Sequence, residues 1–211
     1  RITVMKILKI LSVWTLVIIL FSSSYCVSNH DPEFVVYNLG LSFQDVSGKD
    51  LVKGIGLEEW SAGTSMEGAT WGSVNADLYV LDIIFSEPCE NWDNKIYNSP
   101  ARPGFIPDVN RPKFLMDIYN GNCHLTNSFA YPADDCPEQK MLTYKLKIPY
   151  VFGDEAVHEL VTYWDIPNKK SSLNSYAKCN RIVFEGNEII PQALTDKYGN
   201  YVAKIVLNPI E

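Results

Sequence analysis

The side chains that most often do chemistry are sparse in this sequence, and they do not form a catalytic pattern. The histidines are His30, His124 and His158. His158-Glu159 begins the His-Glu-x-x-His pattern of zinc peptidases, but position 162 is threonine, so the second metal ligand is missing. The sequence has neither a Gly-x-Ser-x-Gly nucleophile elbow nor a Gly-Lys-Ser/Thr phosphate loop. We therefore predict no catalytic residue, metal ligand or cofactor, and a protein that is not an enzyme.

Adjacent carboxylates keep one enzymatic alternative open. Glycoside hydrolysis requires two acids held across a sugar, about 5 to 10 Å apart. The adjacent pairs are Glu58-Glu59, Asp134-Asp135 and Asp154-Glu155. Adjacency does not by itself provide the required separation, because an acidic surface produces such pairs by chance. The alternatives are a glycan-active hydrolase and a solvated acidic face.

Three tryptophans lie in or beside turn-rich segments and are candidates for stacking on a ligand. They are Trp60, Trp71 and Trp92. An exposed indole stacks well on the apolar face of a sugar ring, with loop amides and carboxylates binding the hydroxyls. The alternative is that these side chains plug sheet edges and the undersides of loops.

The N-terminal segment has the composition of an export signal. Lys6 and Lys9 form its basic region, an apolar run covers residues 10–21, and small residues occupy 22–24. The run is shorter than the roughly 20 apolar residues of a membrane-spanning helix. We predict a signal peptide over residues 1–25, of which 1–4 precede the first methionine and fit upstream sequence.

Cys26 follows the small residues directly and is the predicted lipidation site. A polar tether over residues 26–33 then leads to the first strand. The residue before the cysteine is Tyr25, where a lipobox usually has Gly, Ala or Ser. Two alternatives remain: secretion after cleavage before Tyr25, and an uncleaved anchor.

Cysteine parity agrees with lipidation of Cys26, because an even number of cysteines then remains. These are Cys89, Cys123, Cys136 and Cys179. An exported protein permits disulfides, and four cysteines allow three pairings. The alternative is buried thiols, since a domain of this size can build its core without disulfides.

The net negative charge of the chain argues against nucleic acid as a general partner. The 211-residue chain has 18 basic and 25 acidic side chains, and its formal net charge is -7. Residues 1–25 contain Arg1, Lys6 and Lys9 but no acid, so residues 26–211 have 15 basic and 25 acidic side chains, a formal charge of -10. An acidic domain does not bind nucleic acid in general, and its membrane attachment must be covalent or hydrophobic.

The elements that would position these residues are mostly strands. Runs of β-branched and aromatic residues alternate with Gly, Asn, Asp and Pro, and few stretches have a helical period. In residues 157–166, one face is mostly apolar and the other is mixed. The predicted strands are Phe34–Phe43, Leu51–Ile55, Asp77–Ser86, Lys113–Tyr119, Met141–Phe152, Val157–Ile166, Arg181–Glu185, Glu188–Pro191 and Tyr201–Leu207.

Turn signals between these runs predict antiparallel hairpins, and two longer segments predict loops. The predicted turns are 45–50, 153–156, 186–187 and 198–200. Five prolines make 87–112 a long irregular excursion, and 120–138 is the second predicted loop. The nearly continuous apolar run of 77–86 indicates a central strand. We predict an all-β, mainly antiparallel β-sandwich, with an immunoglobulin-like arrangement as one form, in one domain over 34–211.

The layout of the chain resembles that of small uncharacterised exported lipoproteins of Bacteroides-like bacteria, the Bacteroidetes. The likeness lies in the signal that ends at Cys26, the tether, and the segment from Gly40 to Leu51. The resemblance implies attachment to an envelope membrane and a sandwich-like ectodomain. It implies no catalytic residues.

These observations favour a lipid-anchored envelope protein with a non-catalytic binding or interaction module. Its expected location is the outer membrane or the cell surface, and its expected partner is a glycan or an envelope protein. The alternatives are the hydrolase described above and a structural subunit of a surface assembly. A long, apolar edge strand would favour the structural subunit.

Overall fold

The computed structural model describes residues 34–59, 63–64, 70–87, 97–98, 112–132, 137–166, 174–195 and 200–208, which form two packed β-sheets. The strands are β1 (Phe34–Asp45), β2 (Gly63–Thr64), β3 (Thr70–Ser73), β4 (Val80–Phe85), β5 (Tyr97–Asn98), β6 (Leu115–Tyr119), β7 (Asn122–Pro132), β8 (Met141–Lys147), β9 (His158–Asp165), β10 (Asn174–Tyr176), β11 (Lys178–Phe184), β12 (Asn187–Ile189), β13 (Gln192–Thr195) and β14 (Asn200–Leu207). A 3-10 turn spans Ala76–Leu78, and helix α1 spans Pro149–Phe152. No helix in these ranges is long and apolar enough to cross a membrane.

The larger sheet is built around β1. Among the described residues it has nine strands, in the order β13-β14-β1-β7-β6-β3-β2, with β10 paired to β1 and β5 paired to β7. β1 is antiparallel to β7 but parallel to β10 and β14. The smaller sheet has the order β12-β11-β9-β8-β4 and is antiparallel throughout. The predicted all-β, mainly antiparallel sandwich is thus confirmed, while an immunoglobulin-like arrangement stays a prediction.

The core lies between the two sheets and is rich in aromatic rings. Tyr37 of β1 stacks on Phe129 of β7 at a ring separation of 5.1 Å. It also meets Trp164 of β9 edge-on at 5.2 Å, which joins one sheet to the other. In β9 the predicted inward face is confirmed, because Leu160, Thr162 and Trp164 are buried. Burying one large apolar side chain contributes about 1.5 to 3 kcal/mol.

The prediction of a loop over residues 120–138 is wrong for most of that segment. Residues Asn122–Pro132 form β7, a central strand of the larger sheet. Asn120 and Gly121 have φ values of 49° and 78°, so they form the tight turn that joins β6 to β7. Asn-Gly is the strongest short hairpin signal. Cys123, Leu125 and Phe129 then alternate toward the core, with polar residues between them.

Three other predicted segments differ from the structure for local reasons. The strand predicted over residues 51–55 is instead a turn, because Asp50 Oδ1 accepts hydrogen bonds from the backbone N–H of Val52 and Lys53. The strand predicted over Met141–Phe152 ends at Lys147, because helix α1 begins at Pro149. Helix α1 is in turn ended by Gly153, which has a φ of 76°. The two-residue turn after β11 is 185–186 and not 186–187, because Phe184 pairs with Asn187.

Among the described residues, the segment predicted as a central strand over 77–86 lies at an edge. There β4 is the last strand of the smaller sheet and pairs only with β8. Leu81 points into the core, but Val80 and Ile84 on the outer face are about half exposed. A continuous apolar run identifies a strand, but it does not identify the neighbours of that strand.

The sandwich has two distinct ends. The chain enters β1 at Phe34, and we call this the entry end. The opposite end, the turn end, contains the 45–50 turn, the 120–121 turn, α1 and the 185–186 turn. The ring of Phe152 in α1 meets Phe43 near the end of β1 at 5.3 Å, which ties α1 to this end.

Candidate functional site

Most of the site residues predicted from the sequence lie outside the described residues. This holds for Cys26, Cys89, Cys136, Trp60 and Trp92, and also for the pair Asp134-Asp135. The described candidates are Trp71, Cys123, Cys179 and the two other carboxylate pairs. They lie in separate places, and the structure does not gather them into one site.

Trp71 packs against backbone at the edge of the larger sheet. It lies in β3 opposite Gly63 of β2. A Cβ atom added to Gly63 would lie 2.5 Å from Cζ2 of Trp71, so the indole covers this glycine directly. Trp71 is partly buried. The ligand-stacking role of Trp71 stays a prediction.

Cys123 and Cys179 are free thiols buried in the core. Burial, followed by the nearby Asp50 carboxylate, raises the pKa of Cys123 to about 11. Burial raises the pKa of Cys179 to about 12, against the opposing effect of its contact with the Arg181 carbonyl. Both thiols therefore stay protonated at neutral pH and are poor nucleophiles and poor metal ligands.

His124 follows Cys123 in β7, but the two side chains point to opposite faces of the sheet. His124 is 5% exposed. Burial lowers its pKa, while the charges of Asp50 and Asp117 act in the opposite direction. A cysteine and a histidine on opposite faces of one strand cannot exchange a proton directly, so this pair is not a catalytic dyad.

Glu58 and Glu59 line an open depression together with Leu57 and Asn75. Glu58 Oε1 accepts a hydrogen bond from the Ala76 N–H at 3.2 Å. Asn75 Oδ1 accepts one from the Asp77 N–H at 3.0 Å, which caps the 3-10 turn. The described lining contains two acids that are adjacent in the sequence, and no other carboxylate. Glycoside hydrolysis needs acids that face each other.

His158 lies at the centre of a polar cluster at the turn end. Its Nε2 lies 3.1 Å from Asp154 Oδ1, and its Nδ1 lies 3.5 Å from Glu185 Oε1. The ring packs on Phe152 with a centroid separation of 4.0 Å. The hydrogen bond with His158, followed by that from the Ala156 N–H, lowers the pKa of Asp154. Within the described ranges, no group of three His, Cys, Asp or Glu residues is arranged to hold a metal ion.

Sequence reasoning selected His158 and Asp154 separately and missed Glu185. Glu185 comes next to His158 only because β9 and β11 are paired, with Phe184 opposite Leu160. Glu185 follows an apolar strand and begins a tight turn, which is typical of any solvated hairpin. The local sequence contains no signal that would have connected it to His158.

Two buried carboxamides fix the ends of the long 87–112 excursion. At its start, Gln139 Oε1 accepts from the Glu87 N–H, and Gln139 Nε2 donates to the Glu87 carbonyl. The hydroxyl of Tyr37 donates to the Gln139 carbonyl at 3.0 Å. Just after its end, Asn127 Nδ2 donates to the Lys113 carbonyl at 3.0 Å. Of the excursion itself the structure describes Glu87, β5 and Pro112, and β5 pairs with β7.

No protein-family model matches this chain, and comparison with curated proteins and with solved structures finds no significant match.

Proposed function

We propose that this chain is an exported, lipid-anchored envelope protein whose β-sandwich is a non-catalytic binding or interaction module. Cys26 carries the lipid, and the polar tether over 26–33 connects it to β1. The protein belongs with the exported lipoproteins of Bacteroides-like bacteria, at the outer membrane or the cell surface. Its partner is a glycan or an envelope protein.

The non-catalytic part of the proposal is supported by one observation: the described thiols and imidazoles are buried or held by other residues of the protein. The thiols of Cys123 and Cys179 are buried and stay protonated. His124 is buried in the larger sheet, and His158 lies between two carboxylates. A general base must reach a proton on its substrate, and these groups are already committed to other contacts.

The binding part is supported by the anchoring of the 87–112 excursion. A long excursion is more often functional than neutral. Gln139 and Asn127 hold the backbone at both of its ends, so the rigid sandwich presents this segment from fixed points. Binding residues are often located on loops that a rigid scaffold positions in this way.

The anchor is tested by expressing the full chain in a bacterial host as wild type, Cys26→Ala and the matched control Ser23→Ala. We expect wild type and Ser23→Ala to gain a diacylglycerol-sized mass and to partition into detergent. Cys26→Ala should lose both properties, because no thiol remains at the acylation position. An unlipidated wild-type chain that begins at Tyr25 would contradict the anchor.

The binding module is tested with detergent-solubilised wild type on an array of envelope glycans, with mass spectrometry of the glycans after incubation. Retention on the array without cleavage is the expected result. Cleavage products that disappear in Glu58→Gln or Glu59→Gln would overturn the non-catalytic proposal in favour of the hydrolase.

A second candidate function, a structural subunit of a surface assembly, is supported by the position of β4. This strand has a free edge within the described residues, and its outward Val80 and Ile84 are about half exposed. Such an edge is a template for pairing with another strand. Sedimentation should show an oligomer for wild type and for Val157→Lys, which alters an exposed residue outside β4, and a monomer for Ile84→Lys. A monomeric wild type would exclude this function.

A further inference from the structure

The β6–β7 turn contains the one Asn-Gly pair of the sequence, Asn120 followed by Gly121. Both residues are exposed, and a Cβ atom added to Gly121 would meet nothing within 4 Å. Among the described residues, no hydrogen bond engages the Asn120 side chain, and the Gly121 N–H donates none. The carboxamide and the backbone nitrogen that follows it are therefore not occupied by other contacts.

An asparagine side chain that is followed by glycine can cyclise with the backbone. The Gly121 nitrogen attacks Cγ of Asn120, the N–Cγ bond forms, and the Cγ–Nδ2 bond breaks. Nδ2 leaves as ammonia with the proton of the Gly121 amide. Water then opens the resulting succinimide at one of its two C–N bonds, which leaves aspartate or isoaspartate at position 120. Glycine favours the attack because no side chain shields its nitrogen.

The backbone of the folded turn opposes this attack. Cyclisation needs the Gly121 nitrogen and the Asn120 side chain on the same side of the Asn120 Cα–C bond. Asn120 has a φ of 49°, in the left-handed region where ψ is about +47°. Such a ψ turns the Gly121 nitrogen to the side opposite Cβ, so the attack requires the turn to leave its folded conformation.

We propose that Asn120 is a deamidation site protected by the folded β6–β7 turn, and that the Gly121 nitrogen attacks it when this turn opens locally. This protection is independent of the proposed function.

Two contacts hold the start of β7 and oppose the opening of the turn. Asn122, the first residue of β7, accepts at Oδ1 a hydrogen bond from Nε2 of the buried Gln44 at 3.2 Å. The N–H of Cys123 donates to Asp50 Oδ2 at 2.7 Å. Tyr119 and Asn122 are the last registered pair before the turn. Loss of the Gln44 contact therefore increases the open fraction at the end of the hairpin, while the rest of the strand stays paired.

The two products affect the hairpin differently. Aspartate keeps the backbone length and, like asparagine, tolerates the left-handed region. Isoaspartate passes the chain through the former side chain, which adds one methylene to the backbone. Because turn type and loop length fix the register of a hairpin, this extra atom is incompatible with Tyr119 opposite Asn122. A chain that forms isoaspartate while open therefore no longer closes in the same register.

The test compares deamidation of the full chain in mildly alkaline buffer with and without denaturant, measured by peptide mass spectrometry. Asn120 should react at least about tenfold more slowly in the folded protein, because only the open fraction reacts. Asn187 is the matched control: it is exposed but follows Gly186 and precedes Glu188, so it should react slowly in both conditions. Equal rates for Asn120 in both conditions, or no isoaspartate at 120 in denaturant, would overturn the proposal.

The local nature of the opening is tested with Gln44→Leu, which keeps the size of the side chain but removes its contact with Asn122. In the folded state this variant should deamidate at Asn120 about two- to tenfold faster than wild type. Asn127 is buried in the same strand and precedes Ser128, so its deamidation reports unfolding of the whole hairpin. An unchanged rate at Asn120, or a parallel rise at Asn127, would overturn the local opening.

Discussion

Cys123 and Cys179 lie in the core between the sheets although they belong to different sheets, and at both positions burial opposes ionisation. A thiol reacts as its thiolate, so a raised pKa lowers the rate of alkylation as effectively as steric protection does. The state of these side chains in the folded protein therefore reports directly on the integrity of the core.

We expect Cys123 and Cys179 to resist iodoacetamide in the native protein at about pH 7.5 and to react fully in denaturant. The reason is that their pKa values are raised to about 11 and about 12, and both side chains are buried. Peptide mapping by mass spectrometry after a short labelling pulse measures each cysteine separately. Native labelling of either residue as fast as in denaturant would contradict the burial.

Asp45 shows how one carboxylate organises an exposed turn. Its Oδ1 accepts from the backbone N–H of Ser47 at 2.8 Å and of Lys49 at 3.0 Å, and from the Ser47 hydroxyl at 2.6 Å. These hydrogen bonds, that from the Ser47 hydroxyl first, lower the pKa of Asp45. The bonds therefore favour the ionised carboxylate.

Because the pKa of Asp45 is lowered in the folded protein, ionisation of this carboxylate stabilises the fold. The contribution of Asp45 is fully present above about pH 4, the ordinary value for an aspartate, and is lost as the pH falls through its lower folded pKa. Asp45→Asn should therefore lose less stability than wild type on acidification, and Ser47→Ala should be intermediate. Urea unfolding over an acidic pH series measures this difference. Identical pH profiles for wild type and Asp45→Asn would show that the turn does not favour the carboxylate.

At the scale of elements, the 120–121 turn determines the register of a long central strand. Gly121 has a φ of 78° with nothing within 4 Å of an added Cβ, so a substitution there costs backbone strain and no clash. We expect Gly121→Ala to lower the free energy of unfolding by about 1 to 2 kcal/mol. Asn120→Gly in the same turn should change it by less than about 0.5 kcal/mol. Chemical denaturation of the two variants tests this, and equal effects would count against the turn assignment.

Gln139 is the corresponding anchor for the 87–112 excursion, since it is fully buried and serves both backbone groups of Glu87. Gln139→Leu keeps the size of the side chain but leaves these groups without their partner. We expect a loss of about 2 to 3 kcal/mol in the free energy of unfolding. The exposed neighbour Lys140 is the control, and Lys140→Gln should change stability by less than about 0.5 kcal/mol. A similar small effect for Gln139→Leu would show that Glu87 is satisfied by water.

Local patterns predicted the elements better than they predicted the neighbours of those elements. Periodicity located β1, β9 and β14 to within a few residues, because alternation is a property of one strand. The edge position of β4 and the approach of Glu185 to His158 depend on pairing between distant segments. Asn120-Gly121 is a local hairpin signal, which the prediction of a loop over 120–138 did not use. Long-range pairing is thus the part of the fold that sequence patterns did not specify.

At the scale of the whole molecule, the contact between Tyr37 and Trp164 couples the two sheets. Trp164 is 2% exposed, and its Nε1 donates to Thr162 Oγ1 at 2.7 Å. We expect Trp164→Ala to cost about 3 to 5 kcal/mol and to lower amide protection in β1 and β9 together. Trp71→Ala, at a sheet edge, should cost less. Denaturation and hydrogen exchange measure both effects, and a loss confined to β9 would show that the sheets unfold independently.

The parallel pairing of β1 with β14 sets an order of events during synthesis. Asn38 of the first strand pairs with Asn200, and Asp45 pairs with Leu207, so one edge of β1 lacks this partner until almost the whole domain has left the ribosome. Contacts this distant in sequence slow folding, because the loop must close before any pairing energy is gained. The larger sheet therefore completes only after β14 has been synthesised, and until then β1 lacks its partner along Asn38–Asp45.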